Sequence, residues 1–168
     1  PPIETAATRV PGLSEITTLS LGGLHACAVR TDGTALCWGN NGRGFLGDGT
    51  TLSRYEPAPV SGLTDATLVA VGGVSSIAIR AAGTLVRWGT LVTDFMPRLS
   101  PIPFSTVTDA VDIDVGMQHG CLLDRTFQLA KITHARSLAR AYGAGECPIR
   151  GNSAVHFNSV TPTRSRRR

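Results

Sequence analysis

His25, Cys27 and Cys37 are the side chains here that most invite metal chemistry, and His119 and Cys121 reproduce the first two further on. Imidazole nitrogen and thiolate sulfur suit zinc, which takes four such ligands in a tetrahedron. The spacing argues against it. His25 and Cys27 alternate along one extended segment, so they share a face without converging, and no Cys-x-x-Cys or His-x-x-x-His set completes a site. No metal is expected. The histidines are better placed under a turn, hydrogen-bonded to backbone, since Ser75 holds the same place in a later copy of the segment.

The run Gly39 to Gly49, GNNGRGFLGDG, is a second candidate, because successive backbone N–H groups can cradle a phosphate. It lacks Gly-Lys-Ser or Gly-Lys-Thr, and no helical pattern follows it. A structural corner is the better reading, with glycines in conformations closed to other residues. Asp48 could ligate calcium, but no spaced set of acids accompanies it. There is no Gly-x-Ser-x-Gly elbow and no facing pair of carboxylates. The sequence therefore names no catalytic residue and no cofactor, and a non-enzymatic protein is expected.

The elements that carry these residues are strands. Residues alternate up to Arg30, meet Thr31, Asp32 and Gly33, then alternate again to Trp38, which is how a β-hairpin is written. A three-residue loop with Gly33 at positive φ pairs Arg30 with Thr34, Cys27 with Cys37 and Ala26 with Trp38. Directly opposed cysteines lie where a disulfide can close; the alternative is two reduced, buried small side chains.

The unit recurs. Gly22 and Gly23 return as Gly72 and Gly73, Gly33 as Gly83 and Trp38-Gly39 as Trp88-Gly89, each at an offset of 50. A third copy opens at Gly116, with His119 and Cys121 in the places of His25 and Cys27 and Cys121 opposite Lys131. A fixed period near fifty built from strands means a solenoid or a propeller.

The run Gly-Gly-x-His-x-Cys-Ala-x-x-x-Asp-Gly-x-x-x-Cys-Trp-Gly-x-Asn-x-x-Gly-x-Leu-Gly, here Gly22 through Gly47, resembles the regulator of chromosome condensation repeat. More specifically, it is similar to the cysteine-paired form found in secreted bacterial proteins. The resemblance implies four-stranded blades in a seven-bladed β-propeller, and it favours the Cys27–Cys37 disulfide over the reduced pair. One departure stands out: Phe45 occupies a place where the family usually has Gln.

The expected fold is thus all-β, a partial, open β-propeller of four-stranded antiparallel blades, with an irregular or partly helical C-terminal tail. Seven blades of this period need roughly 350 residues, so the 168 residues read as an excerpt of about two and a half repeats. Residues 1–15 close a preceding blade, 16–64 form blade one, 65–108 a worn blade two, 109–132 a partial blade three and 133–168 a basic tail. Pro57 and Pro59 suit an outer strand, where a missing N–H donor is tolerated. Val111, Ile113 and Val115 should face inward and Asp112 and Asp114 outward. Beyond Asp124 the pattern fails: Phe127 replaces the turn glycine, and Lys131 and Ile132 stand where Cys-Trp is expected. Either a genuine tail replaces the blade, with a short helix expected over Ala135 to Tyr142, or the reading frame slips near Ala130.

The formal charge of +4 divides unevenly: residues 1–123 carry minus three and residues 124–168 plus seven. The propeller-like part has no basic stripe for nucleic acid, and the Arg164, Arg166, Arg167 and Arg168 cluster reads as a solvated end. No apolar run is long enough to cross a membrane as a helix. Paired cysteines favour an oxidising compartment, so an extracellular or cell-surface location is expected, with the periplasm as the alternative.

The expected function is a binding module whose loop rim meets a protein or glycan, with Arg43, Phe45, Arg54 and Tyr55 as contact residues, because arginine and aromatic side chains anchor interfaces. An enzyme-inhibitor propeller is the alternative. Guanine-nucleotide exchange on a small GTPase, known in the family's nuclear founder, would require the whole ring and acidic loops that are not matched here. Open sheet edges should pair with further blades or with another copy.

Overall fold

Short alternating segments separated by Gly, Asp and Asn triplets can satisfy their backbone groups only by pairing with neighbours. The computed structural model describes residues 9–90, 96–116, 119–126 and 129–133, and the regular elements among them are eleven strands. The first sheet contains β1 (Ile16–Leu21), β2 (His25–Arg30), β3 (Ala35–Gly39) and β4 (Arg54–Pro59). The second contains β5 (Ala66–Val71), β6 (Ser75–Arg80), β7 (Leu85–Gly89) and β8 (Arg98–Pro103). The third contains β9 (Ala110–Val115), β10 (His119–Asp124) and β11 (Leu129–Thr133). Strands follow one another in sequence order within each antiparallel sheet, the meander of a propeller blade. The architecture is an all-β, open set of blades.

The first hairpin forms as its residues dictate. Gly33 has φ +84°, Asp32 Oδ1 accepts from Thr34 N at 2.8 Å, and Arg30 N donates to Thr34 O at 3.0 Å. Cys27 pairs with Cys37 and Ala26 with Trp38; in the next sheet Ser76 pairs with Trp88. Cys27 and Cys37 are joined by a disulfide and are both fully buried. Cys121 pairs with Lys131, so a third hairpin persists after the side-chain motif has gone, because the ladder is made by backbone groups alone. The third sheet thus continues past Asp124, where the side-chain pattern fails. The candidate helix over Ala135 to Tyr142, the arginine cluster and the whole 134–168 stretch lie outside the described residues.

The opening strand of every sheet carries a bulge at its second residue: Thr17, Thr67 and Val111 are skipped in the pairing with the next strand. The hydroxyls of Thr17 and Thr67 donate to Val29 O at 3.1 Å and Ile79 O at 3.2 Å. The bulge overturns the simple alternation expected for β9. Ala110, Ile113 and Val115 are buried, whereas Val111 turns outward at 42% exposure. Pro57, Pro59, Pro101 and Pro103 lie on β4 and β8, the last strands of their sheets, as edge prolines should.

The second sheet presents one face to the first sheet and the other to the third. Between the first and second sheets, Cys27, Val29, Cys37 and Leu46 pack with Val69, Val71 and Trp88. Between the second and third, Ile77, Ile79 and Leu85 pack with Ala110, Ile113 and Val115. The approach is closest where the glycine pairs recur. A Cβ on Gly22 would overlap Gly72 O and sit 2.7 Å from Val71 Cγ1, and one on Gly72 would sit 2.7 Å from Gly116 O. The repeat-start glycines thus lie where neighbouring sheets approach closely, and a side chain on Gly22 or Gly72 would wedge the sheets apart.

Candidate interaction rim at the glycine corner

The segment from Gly39 to Ser53 links β3 to β4 and bends over the edge of the second sheet. Buried Asn41 organises it. Asn41 Oδ1 accepts from Leu46 N at 2.9 Å, and its Nδ2 donates to Asp48 Oδ1 at 3.0 Å and Thr50 O at 3.1 Å. Asp48 Oδ1 also accepts from Thr50 N at 2.9 Å and Thr50 Oγ1 at 2.7 Å, and Asp48 Oδ2 pairs with Arg54 Nε at 2.8 Å. Burial pushes the Asp48 carboxyl upward, but the bonds from Thr50, Arg54 and Asn41 outweigh it and hold its pKa below the ordinary carboxylate value. Its oxygens are thus occupied by this chain's own donors, and the segment is a locked structural corner. Among the described residues, no group of three or more His, Cys, Asp or Glu is placed to hold a metal ion.

The corner then docks on the second sheet through Phe45. Its carbonyl accepts from Trp88 Nε1 at 2.9 Å and Ser76 Oγ at 3.2 Å, while its ring stacks on His25 with centroids 5.3 Å apart. Thr90 Oγ1 donates to Arg43 O at 3.3 Å and Gly49 N to Leu99 O at 2.8 Å, extending the seam. Gly47 lies flat on the Trp88 indole: with φ +67°, a Cβ there would sit 2.7 Å from Cδ1.

His25 Nε2 lies 2.8 Å from Ser76 Oγ, the spacing of a nucleophile and its base. Both residues are buried, His25 Nδ1 has no partner, and desolvation lowers the histidine pKa from 6.5 to about 4. A neutral imidazole shut away from solvent is a weak base; the pair works as a hydrogen-bond relay to the Phe45 carbonyl. The expectation of a backbone partner for His25 is corrected, since its partner is a side-chain hydroxyl contributed by the next sheet. The side chain of His119 lies outside the described residues.

The four residues nominated as contacts do not form one surface. Phe45 is 4% exposed, so it leaves the rim: in the glutamine's place it has become part of the junction. Arg54 is engaged with Asp48, with 41% of its side chain still exposed. Arg43 is exposed at the corner tip, and Tyr55 is 98% exposed at the start of β4. Leu52, between them in the chain, is 66% exposed and was not singled out. Asn41, Asp48 and Ser76 were also missed as a framework. The Asn-Asn and Asp-Gly-Thr clusters carry the signal for the first two, because short polar side chains in turns bond their own backbone. Nothing in the sequence marks Ser76, whose partners come from a different repeat.

This arrangement, two sheets linked by a glycine corner that caps the following tryptophan, has counterparts. Two matches to the regulator of chromosome condensation (RCC1) repeat cover residues 16–44 and 32–79. Residues 16–79 are similar to the RCC1 repeat. The second match runs from the first hairpin turn across the corner into β6, so the repeat spans the junction between sheets.

Among solved structures, the chain is similar to Prp20p from Saccharomyces cerevisiae, at 23% identity and a TM-score of 0.63, over 74% of this chain and 32% of that one. The structure of Kap60 bound to yeast RCC1 (Prp20) gives 23% identity and a TM-score of 0.62, covering 74% and 31%. Human WBSCR16 gives 18% identity and a TM-score of 0.62, covering 70% and 33%. At these identities the likeness is one of fold, and the chain spans about a third of the length of these relatives. No curated protein matches the sequence.

Proposed function

We propose that this chain is a non-enzymatic protein-interaction module whose RCC1 repeats hold a rigid corner and offer Arg43, Leu52 and Tyr55 to a protein partner. The observation that carries this reading is Tyr55, an aromatic ring 98% exposed beside a corner whose polar groups are satisfied internally. A bare tyrosine on a fixed base loses little entropy on binding, which is why such residues anchor interfaces. Two structural neighbours meet proteins: yeast RCC1 (Prp20) is bound to Kap60, and Prp20p has binding properties toward Gsp1p and histones. The Cys27–Cys37 disulfide supports an extracellular or cell-surface location, where such bonds persist.

The test is a binding screen of the immobilised chain against surface and secreted proteins, with a glycan panel alongside. The double variant Arg43→Ala/Tyr55→Ala should weaken capture of any protein ligand by about tenfold or more. Capture unchanged by the double variant, or confined to glycans, overturns the reading.

A further inference from the structure

Asn41, which organises the corner, is followed by Gly42, and theirs is the sole Asn-Gly step in the sequence. That step carries a chemistry of its own. The main-chain nitrogen after an asparagine can attack the side-chain carbonyl carbon and close a cyclic imide, and glycine, having no side chain to obstruct the approach, allows this best. The Gly42 nitrogen gives up its proton, bonds to Asn41 Cγ and expels the side-chain nitrogen as ammonia. Water then opens the imide at either carbonyl, leaving aspartate or isoaspartate at position 41. A water enters, an ammonia leaves, and nothing is oxidised or reduced. The fold does not ask for glycine at this place. Gly39, Gly44, Gly47 and Gly49 have φ between +67° and +109°, where any side chain is strained. Gly42 is outside that region, and a Cβ on it would meet only Asn40 Oδ1, at an ordinary 3.6 Å. The corner glycine that shape does not require is the one that makes the buried asparagine reactive.

The closed corner withholds both reacting groups. Gly42 N, the attacking atom, donates to Asn40 Oδ1 at 3.0 Å. Asn41 is fully buried, its side-chain oxygen takes the Leu46 N–H, and its nitrogen is held by Asp48 and by the Thr50 carbonyl. Its main chain is fixed as well: Asn41 N donates to Ser53 Oγ at 3.1 Å, and Asn41 O accepts from Gly44 N at 2.9 Å. Turning Cγ onto Gly42 N would break the side-chain bonds at a buried site, where each bond lost is costly. In the unfolded chain none of these restraints exists.

We propose that Asn41 is a modification site gated by folding: the main chain deamidates it while the corner is open, and the closed corner shields it. Either product removes the donors that reach Asp48 and Thr50, and isoaspartate also routes the backbone through the former side chain, adding a methylene to it. A chain modified before its corner closes cannot rebuild that corner, so time spent unfolded is recorded covalently. The inference goes beyond the rim reading, which involves no change at Asn41.

The experiment incubates the full chain at mildly alkaline pH, in buffer and in urea, and follows Asn41 by peptide mass mapping and by labelling with an isoaspartyl methyltransferase. In urea Asn41 should convert mainly to isoaspartate, ahead of Asn152 and Asn158, which are each followed by serine. In buffer the conversion should be at least about tenfold slower, as for a corner open no more than about a tenth of the time. Gly42→Ala should slow the conversion in urea by about tenfold or more, because its methyl group obstructs ring closure. That variant is read in the unfolded chain, so a folding defect in it leaves the result intact. The modified chain, returned to buffer, should unfold at a lower urea midpoint than unmodified chain treated alike. Equal rates in buffer and urea overturn the shielding, and conversion in urea no faster at Asn41 than at the Asn-Ser steps overturns the site. An undiminished rate in Gly42→Ala overturns the main-chain route, and a modified chain with the parent's midpoint overturns the effect on the corner.

Discussion

His25 is the residue where chemistry and packing meet most closely. Its imidazole is buried against Phe45 and Ser76, and desolvation holds its pKa near 4 instead of 6.5. The unfolded chain therefore takes up the proton first. Stability is intact above about pH 6.5 and declines between there and pH 4, by at most about 3 kcal/mol in total. Urea melts at pH 7 and pH 5 should show this loss, and His25→Asn, less stable at pH 7, should have a flatter profile between pH 5 and 6.5. An unchanged slope in the variant would place the titration elsewhere. Gly47 is the second sensitive residue. Gly47→Ala combines a positive φ with a methyl group 2.7 Å from Trp88, so a loss of at least about 2 kcal/mol is expected in the urea midpoint. A neutral result would mean that the corner does not rest on the indole.

At the scale of elements, the first hairpin and its corner are secured separately. The Cys27–Cys37 bond closes a short loop across β2 and β3, and its removal in Cys27→Ala/Cys37→Ala should cost about 2 to 3 kcal/mol by loop entropy. Thermal melts of the variant against the oxidised parent measure it; equal stability would show that the hairpin holds by packing alone. The corner depends on amide chemistry. Asn41→Asp keeps the shape but removes the donors to Asp48 and Thr50 and sets a second carboxylate beside Asp48. A loss of about 2 to 3 kcal/mol is expected at pH 7, with part of it recovered as the carboxylates protonate. A variant as stable as the parent would mean the corner is held from outside, through the Phe45 seam.

At the scale of the whole molecule, the sheets form a row in which each touches its neighbours through one repeated junction, so stability should be a sum of local terms. Gly72→Ala places a methyl 2.7 Å from Gly116 O, at the second junction only. Hydrogen exchange should then accelerate in β9 and β10 while β2 and β3 keep their protection. Uniform acceleration would show that the three sheets unfold as one cooperative unit. Leu19 and Leu21 are 56% and 71% exposed, whereas Val69 and Val71 at the same places in the second sheet are buried.

The strands, the hairpin register and the Cys27–Cys37 opposition were legible because they depend on nearest-neighbour chemistry: turn residues, period-two alternation and counting outward from Gly33. The glycine corner was legible as a corner for the same reason. The exposed Val111 was not, because the bulge that turns it outward is a property of pairing and leaves no mark in composition. Phe45 shows the limit most plainly. An aromatic in a glycine loop reads as a surface anchor, yet this one is buried, because His25, Ser76 and Trp88 reach it only once two sheets pack. The chain's own residues determined each sheet, since a strand's partners lie within about two dozen residues of it. Which side chains stay free to meet another molecule was decided between sheets, by contacts 31 to 51 residues apart in sequence that exist only in the packed fold.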